Sequence, residues 1–296
     1  MYNILTSSIE IMIPLLLAAT GGLFTEMGGT LNIALEGLMI MGACFSYIGA
    51  ALTGSLRLGL IIGILSSVTL ALLITRTNRL LHTNIFISAL AANMLAPGLA
   101  AVISFRLFQN KGILTFSQVP SLPIWHYPFI GNHSPFLLIS MVLLILSYII
   151  IEKTPFGIHL KASGIDGDAL RSYGINPDNT REISFIISAV FCGLAGSVLS
   201  FELGSYIPGI TAGKGWIALV IIYLGGRNIF GILPSAFLFA LAETLSNNLQ
   251  GFSFLPGDIV NSLPNIFTLI VLIGVSIYNK KKTSFRTTKD NHDTHH

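Results

Sequence analysis

Glu26, Asn32, Glu36, Glu202 and Glu243 carry the chemistry most at odds with its surroundings, because each interrupts a stretch that is otherwise apolar. A carboxylate at membrane depth either moves protons or sodium ions, as in ion-coupled carriers, or hydrogen-bonds a partner, since leaving it unpaired is costly. Position separates the roles. At about 1.5 Å per residue, Glu26 falls at one end of the first apolar stretch and Glu202 near the end of its own, which leaves Glu243 and Glu36 to reach depth. Bonding to glycine-rich backbone or to a facing helix is the preferred reading, with an ion-coupled secondary transporter as the alternative class.

Other chemistries lack their residues. A phosphate-cradling loop needs GxxxxGK[ST]; GITAGKG, Gly209 to Gly215, is one residue short between its glycines and ends on glycine where Ser or Thr should hold magnesium. HExxH and GxSxG are absent, and His82, His126, His133, His159, His292, His295 and His296 fall in loops, at edges of apolar stretches or in the tail. No base stands near a buried nucleophile, so no catalytic residue is assigned. Cys44 and Cys192 sit in apolar runs without a CxxC partner, which reads as two small buried hydrophobes and supports neither a disulfide nor a metal site.

The elements that position these groups follow from composition. The chain has 296 residues, 52% hydrophobic and 10% charged, with a mean hydropathy of +0.76, against about 25% charged residues in soluble domains. It reads as an all-α polytopic membrane protein. A helix needs roughly 20 apolar residues to cross the hydrocarbon, which places spans near 10–25, 33–53, 58–75, 84–108, 135–151, 183–204, 215–226, 229–249 and 259–279, about nine in all. The stretch 215–226 is too short to cross unless it is one limb of a broken helix or packs behind an irregular segment. The N-terminus has no Lys or Arg ahead of its apolar run, so the first stretch is expected to be retained as a span.

Putting the connection at 76–83 on the cytoplasmic side leaves the N-terminus outside and the C-terminus inside. Twelve of the sixteen Lys and Arg then lie inside and four outside, Arg57, Arg106, Lys111 and Lys214, in keeping with the positive-inside rule. Residues 1–279 form one transmembrane domain with a long inner loop at 152–182, and 280–296 form a basic, polar tail without apolar periodicity. The outer loop at 109–134 is rich in proline and aromatics, with Trp125 and Tyr127 suited to a membrane interface. The net charge of +3 gives no reason to expect nucleic acid as a partner.

In the inner loop, Asp166 is placed to cap a short helix over 167–173, Gly174 to end it in the left-handed region, and Asn176-Pro177 to turn the chain back to the membrane. This loop, PFGIHLKASGIDGDALRSYGI, followed by FIISAVFCGLAGSVLSFELGSYIPGITAGKGWIALVIIYLGGRNIFGILPSAFLFALAET and preceded far upstream by GGLFTEMGGTLNIALEGLMIMGA, resembles the permease subunits of ABC importers for ribose-type sugars, branched-chain amino acids and nucleosides. The last of these segments resembles the nucleoside and simple-sugar branch. The resemblance implies a type II importer permease fold with a weak inverted repeat, in the bacterial cytoplasmic membrane. It also implies a coupling helix over 164–175 seated in a groove of a separate ATPase subunit. Gly164 and Gly174 would bound that helix, Asp166, Asp168 and Arg171 would supply polar contacts, and Ala169, Leu170 and Tyr173 would fill the groove. Implied partners are the ATPase that binds ATP and Mg, a second permease chain, as a heterodimer in preference to a homodimer, and an extracytoplasmic binding protein; this chain itself takes no cofactor. Nucleosides lead as the solute, with riboflavin, simple sugars and branched-chain amino acids behind.

Two glycine-interrupted segments, GGTLNIALEGLMIMGA from the inside and GITAGKGWIALVIIYLGG from the outside, are weak echoes with opposite approach, as in an inverted repeat. Irregular backbone at membrane depth is tolerated where it is buried or lines a cavity. The residues expected along a central path are therefore Asn32, Glu36, Asn93, Ser200, Gly213 and Trp216, with Asn247 and Asn248 toward the outer mouth.

Overall fold

The computed structural model describes residues 2–110, 112–127 and 131–249. The span expected at 259–279 and the tail at 280–296 lie outside the described residues. Helix α1 (Tyr2–Met27) is followed by an irregular segment, then α2 (Leu35–Thr53), α3 (Leu56–Leu81) and α4 (Ile85–Phe108). A long connection holds a small antiparallel hairpin, β1 (Trp125–Tyr127) and β2 (Gly131–His133), and leads to α5 (Phe136–Lys153). Two short helices, α6 (Pro155–Ile165) and α7 (Gly167–Ser172), precede α8 (Pro177–Leu203), α9 (Lys214–Leu224) and α10 (Ile229–Leu249). Among the described residues seven helices are long and apolar enough to cross a membrane: α1 to α5, α8 and α10.

Local sequence sets the boundaries. Asn84, Thr154, Asp166 and Asn176 each accept a backbone N–H at the start of the next helix, and Pro155 and Pro177 stand in first turns, where no amide is missed. Gly54 and Gly204 end α2 and α8 in the left-handed region. α9 has 11 residues, about 16 Å at 1.5 Å per residue, or half of a hydrocarbon core of roughly 30 Å. It is too short to cross alone, and it starts at the irregular connection 204–213.

Burial divides the helices into layers. The apolar window of α2 is 83% buried and that of α4 only 22%. α1, α2 and α8 form the centre; α3, α4 and α5 turn Leu58, Ile61, Leu65, Met94, Val102 and Ile145 outward, as contact with lipid requires. α2 and α8 meet backbone to backbone: a Cβ on Gly42 would lie 2.6 Å from the Gly193 carbonyl oxygen, and one on Gly196 would overlap the Met39 carbonyl. Without a hydrophobic drive between helices in lipid, such close van der Waals approach holds them together.

The bundle has two distinct ends. One carries α6 and α7 with Arg76, Arg79, Lys153, Lys161, Arg171, Arg181 and Arg227; the other carries the hairpin, with Arg57 and Arg106. At the hairpin end Leu114 bridges to Tyr206, and the buried Tyr47 hydroxyl donates to the Gly204 carbonyl (3.0 Å) while accepting from the Phe116 amide (3.1 Å). Burial pushes the Tyr206 phenol above its ordinary range, so it remains a neutral part of this closure.

Candidate functional site

The irregular segment 28–34 and the connection 204–213 approach the centre from opposite ends, and the helices they introduce start face to face. Glu36, in the first turn of α2, takes the Thr211 hydroxyl (2.5 Å) and the Gly213 amide (3.0 Å) on Oε1, and the Gly215 amide (2.7 Å) on Oε2. Its carboxylate satisfies amides at the start of α9 that have no partner within that helix. It also lies between two helix N-termini, whose partial positive charges both favour an anion there. Gly213, with φ +81°, is the residue that turns the chain into α9.

Asparagines hold the approach to this clasp. Asn93 on α4 accepts from the Gly37 amide (2.7 Å) and donates to the Ile33 carbonyl (2.8 Å). Asn32, 1% exposed, donates to Ser188 on α8 (3.0 Å) and accepts from Ala34 (3.0 Å). The non-helical backbone is thus bonded from two sides, as apolar surroundings demand.

Beside the clasp, Lys214 Nζ lies 2.6 Å from Glu243 Oε1, with the two side chains 11% and 18% exposed. The structure therefore places Lys214 in the first turn of α9 and pairs it inside the bundle, not in an outer loop. Ser200 is fully buried and shares a hydrogen bond with Ser46 on α2 (3.1 Å). Trp216, in the first turn of α9, is 44% exposed. Asn248 donates to the Thr244 carbonyl, and Asn247 is exposed. Glu26 meets Arg227 (3.1 Å) and Glu202 accepts from Ser134 (3.0 Å). Each of the four candidate carboxylates therefore has a bonded partner, which is the preferred reading from sequence.

At the other candidate region, Asp166 accepts from the amides of Asp168 and Ala169 (3.0 Å each) and starts α7; Gly174, at φ +80°, follows its C-terminus. Arg171 bonds Asp178 on α8 (2.9 Å), and Asp168 and Ala169 face solvent. Tyr173 is 83% exposed and Ile165 88%, whereas Leu170 is 6% exposed and turned into the chain. A partner would therefore meet Ile165 and Tyr173 rather than Leu170. One turn of helix lying on a bundle must spend one of its apolar side chains on its own seat. Gly164 sits against the α1–α2 connection, where a Cβ on Gly29 would lie 2.8 Å from the Gly164 Cα.

Residues 4–276 match the family described as branched-chain amino acid transport system / permease component. The chain belongs to this family of transport permeases. It is 27% identical over 281 residues to the nucleoside ABC transporter permease protein NupC of Lactococcus lactis subsp. cremoris, covering 88% of this chain and 87% of that protein. To the guanosine ABC transporter permease protein NupQ of Bacillus subtilis it is 29% identical over 281 residues, 88% of each. A 110-residue stretch, 36% of this chain, is 31% identical to a second Lactococcus lactis protein, the nucleoside ABC transporter permease protein NupB, covering 30% of it. A family of transport permeases accounts for a polytopic, mainly helical chain.

Two residues with partners in the structure were not singled out by type and spacing: Lys214, and Arg181, which donates to the Gly28 and Ser163 carbonyls. Arg181 served only as a charge in the inner loop, and Lys214 only as a charge outside. The available signals were an arginine just ahead of the apolar run of α8, and a lysine directly after GITAG at the head of another apolar run, each placed to need an acceptor.

Proposed function

We propose that this chain is the membrane-spanning permease subunit of an ATP-driven importer for nucleosides, delivered by an extracytoplasmic binding protein. The observation that carries the substrate class is that two relatives matching nearly nine-tenths of the chain are named for nucleosides and guanosine. The similarity to two differently named permeases of one Lactococcus supports pairing with a second, non-identical permease chain. The α7 end is taken as cytoplasmic, following its excess of arginine and lysine. That leaves the N-terminus outside and the C-terminal tail inside, with 1–279 as the permease domain.

In this reading α7, between Gly164 and Gly174, docks on a cytoplasmic ATPase subunit that binds ATP and Mg. Asp166, Asp168 and Arg171 are available for polar contacts, and Ile165, Ala169 and Tyr173 for apolar ones. Closure of the ATPase pair pulls on this element and reorients the helices around a path beside Glu36, Asn93, Gly213 and Trp216. Asn32 and Ser200 hold the backbone behind that path. The two facing helix starts are the core of a type II permease with an inverted repeat.

The test is uptake of tritiated guanosine by proteoliposomes holding this chain with its companion permease and ATPase, and the binding protein outside. ATP-dependent uptake that unlabelled adenosine and uridine compete with, and riboflavin, ribose and leucine do not, is expected. Uptake by this chain alone under a proton or sodium gradient would favour an ion-coupled carrier instead.

A further inference from the structure

The α7 end is joined to the centre of the molecule at one compact place. Gly28 and Gly29 close α1, and Gly29, at φ +75°, lies directly on Gly164, whose own Cβ would overlap the Met27 carbonyl oxygen. Two backbones this close bring carbonyl groups together, and a guanidinium lies between them. Arg181 on α8 donates from Nε to the Gly28 carbonyl (3.2 Å) and from Nη2 to the Ser163 carbonyl (2.9 Å), while the Ser163 hydroxyl also donates to Gly28 (3.4 Å). Asp178 is 4.0 Å from Nη1 and balances the charge.

What hangs on either side gives the contact its meaning. On one side Ser163 and Gly164 are the last turn of α6, one residue from exposed Ile165 and two from the Asp166 cap of α7. On the other, four residues beyond Gly28, Asn32 is bonded to Ser188, and Glu36 clasps the start of α9. A planar fork holds two carbonyls in a fixed relation that a point charge cannot reproduce. Glycine on both backbones leaves no side-chain bulk between them.

We propose that Arg181 is a positioning residue for transport: it locks the α6–α7 element to the α1–α2 connection, so that displacement of the docking helix moves the segment carrying Asn32 and Glu36. This rests on the importer reading above. Arg181 touches no solute; it transmits.

The experiment uses the complete transporter in proteoliposomes, with ATP hydrolysis and tritiated guanosine uptake measured on the same vesicles. Arg181→Gln keeps ATPase activity within about twofold while uptake per ATP hydrolysed falls about fivefold or more, the lower range of typical coupling between sites. Arg181→Lys assembles equally well and recovers part of the ratio through one carbonyl. Arg79→Gln removes a guanidinium at the same end that bonds Asn179 and Glu182 but not the α1–α2 connection, and it leaves the ratio at the wild-type value. An unchanged ratio in Arg181→Gln, a proportional fall of uptake and hydrolysis together, or an equal loss of ratio in Arg79→Gln would each overturn the proposal. Wild-type uptake that ignores ATP would overturn the importer reading, and the transmission role with it.

Discussion

Glu36 stands in the first turn of its own helix and accepts three hydrogen bonds from the start of another, so two helix termini act on one charge. Glu36→Gln replaces one acceptor oxygen by an amide that faces N–H donors. The expected cost is about 1–3 kcal/mol, read as a lower melting midpoint of the purified chain in detergent; an unchanged midpoint would show that the charge does not hold α9. Lys214 and Glu243 call for a different experiment, because removing one member of a buried ion pair strands the other. Lys214→Met or Glu243→Leu alone should each destabilise by about 3 kcal/mol, and the double variant by much less than their sum. Additive losses in the double-mutant cycle would mean that the pair does not interact. The need for partners was legible from the sequence, since a carboxylate in an apolar stretch must find one. Which partner it finds was not, because the bonds to Glu36 join residues at least 175 positions apart.

At the level of elements, apolar run length located several membrane helices closely. The span expected at 84–108 is α4 (Ile85–Phe108), and that at 229–249 is α10 (Ile229–Leu249). It was shorter than the helix where polar residues continue it: α3 runs on to Leu81 because Arg76 and Arg79 pair with Glu182 at the foot of α8. α8 starts six residues before its apolar run, under the Asn176 cap. α6 escaped notice because its face is mixed, although Thr154 followed by proline was the start signal. The Asp166 cap of α7 could be read directly, but which face of α7 is outward could not, since only contact with α6 and α8 decides it. This changes the expected outcome of substitution. Tyr173→Asp should leave the chain folded and weaken ATPase binding in a pull-down of the assembled transporter. Leu170→Asp should unseat α7 itself and lower the yield of folded chain by size-exclusion profile. Equal ATPase binding by Tyr173→Asp and wild type would remove α7 as the docking element.

For the whole molecule, the uneven distribution of arginine and lysine between the two ends supports one orientation, and the native thiols make it easy to check. Cys44 and Cys192 are both fully buried, so an introduced cysteine can be labelled against a quiet background. A membrane-impermeant maleimide should label Trp125→Cys in intact cells and Tyr173→Cys only in inverted vesicles; the reverse pattern would invert the proposed topology. The clasp at Glu36 also has a consequence for how the chain is made. Its acceptor and its donors are separated by 175 to 179 residues, and at roughly 5–20 residues per second of synthesis the acid waits about ten to thirty-five seconds before the amides it binds leave the ribosome. During that interval α2 has a carboxylate at its head and no α9 to receive it. Early insertion is therefore provisional: the first helices of this protein can complete their seating only after most of the chain has been translated, and a truncation before Gly213 should be recognised and degraded as unfinished.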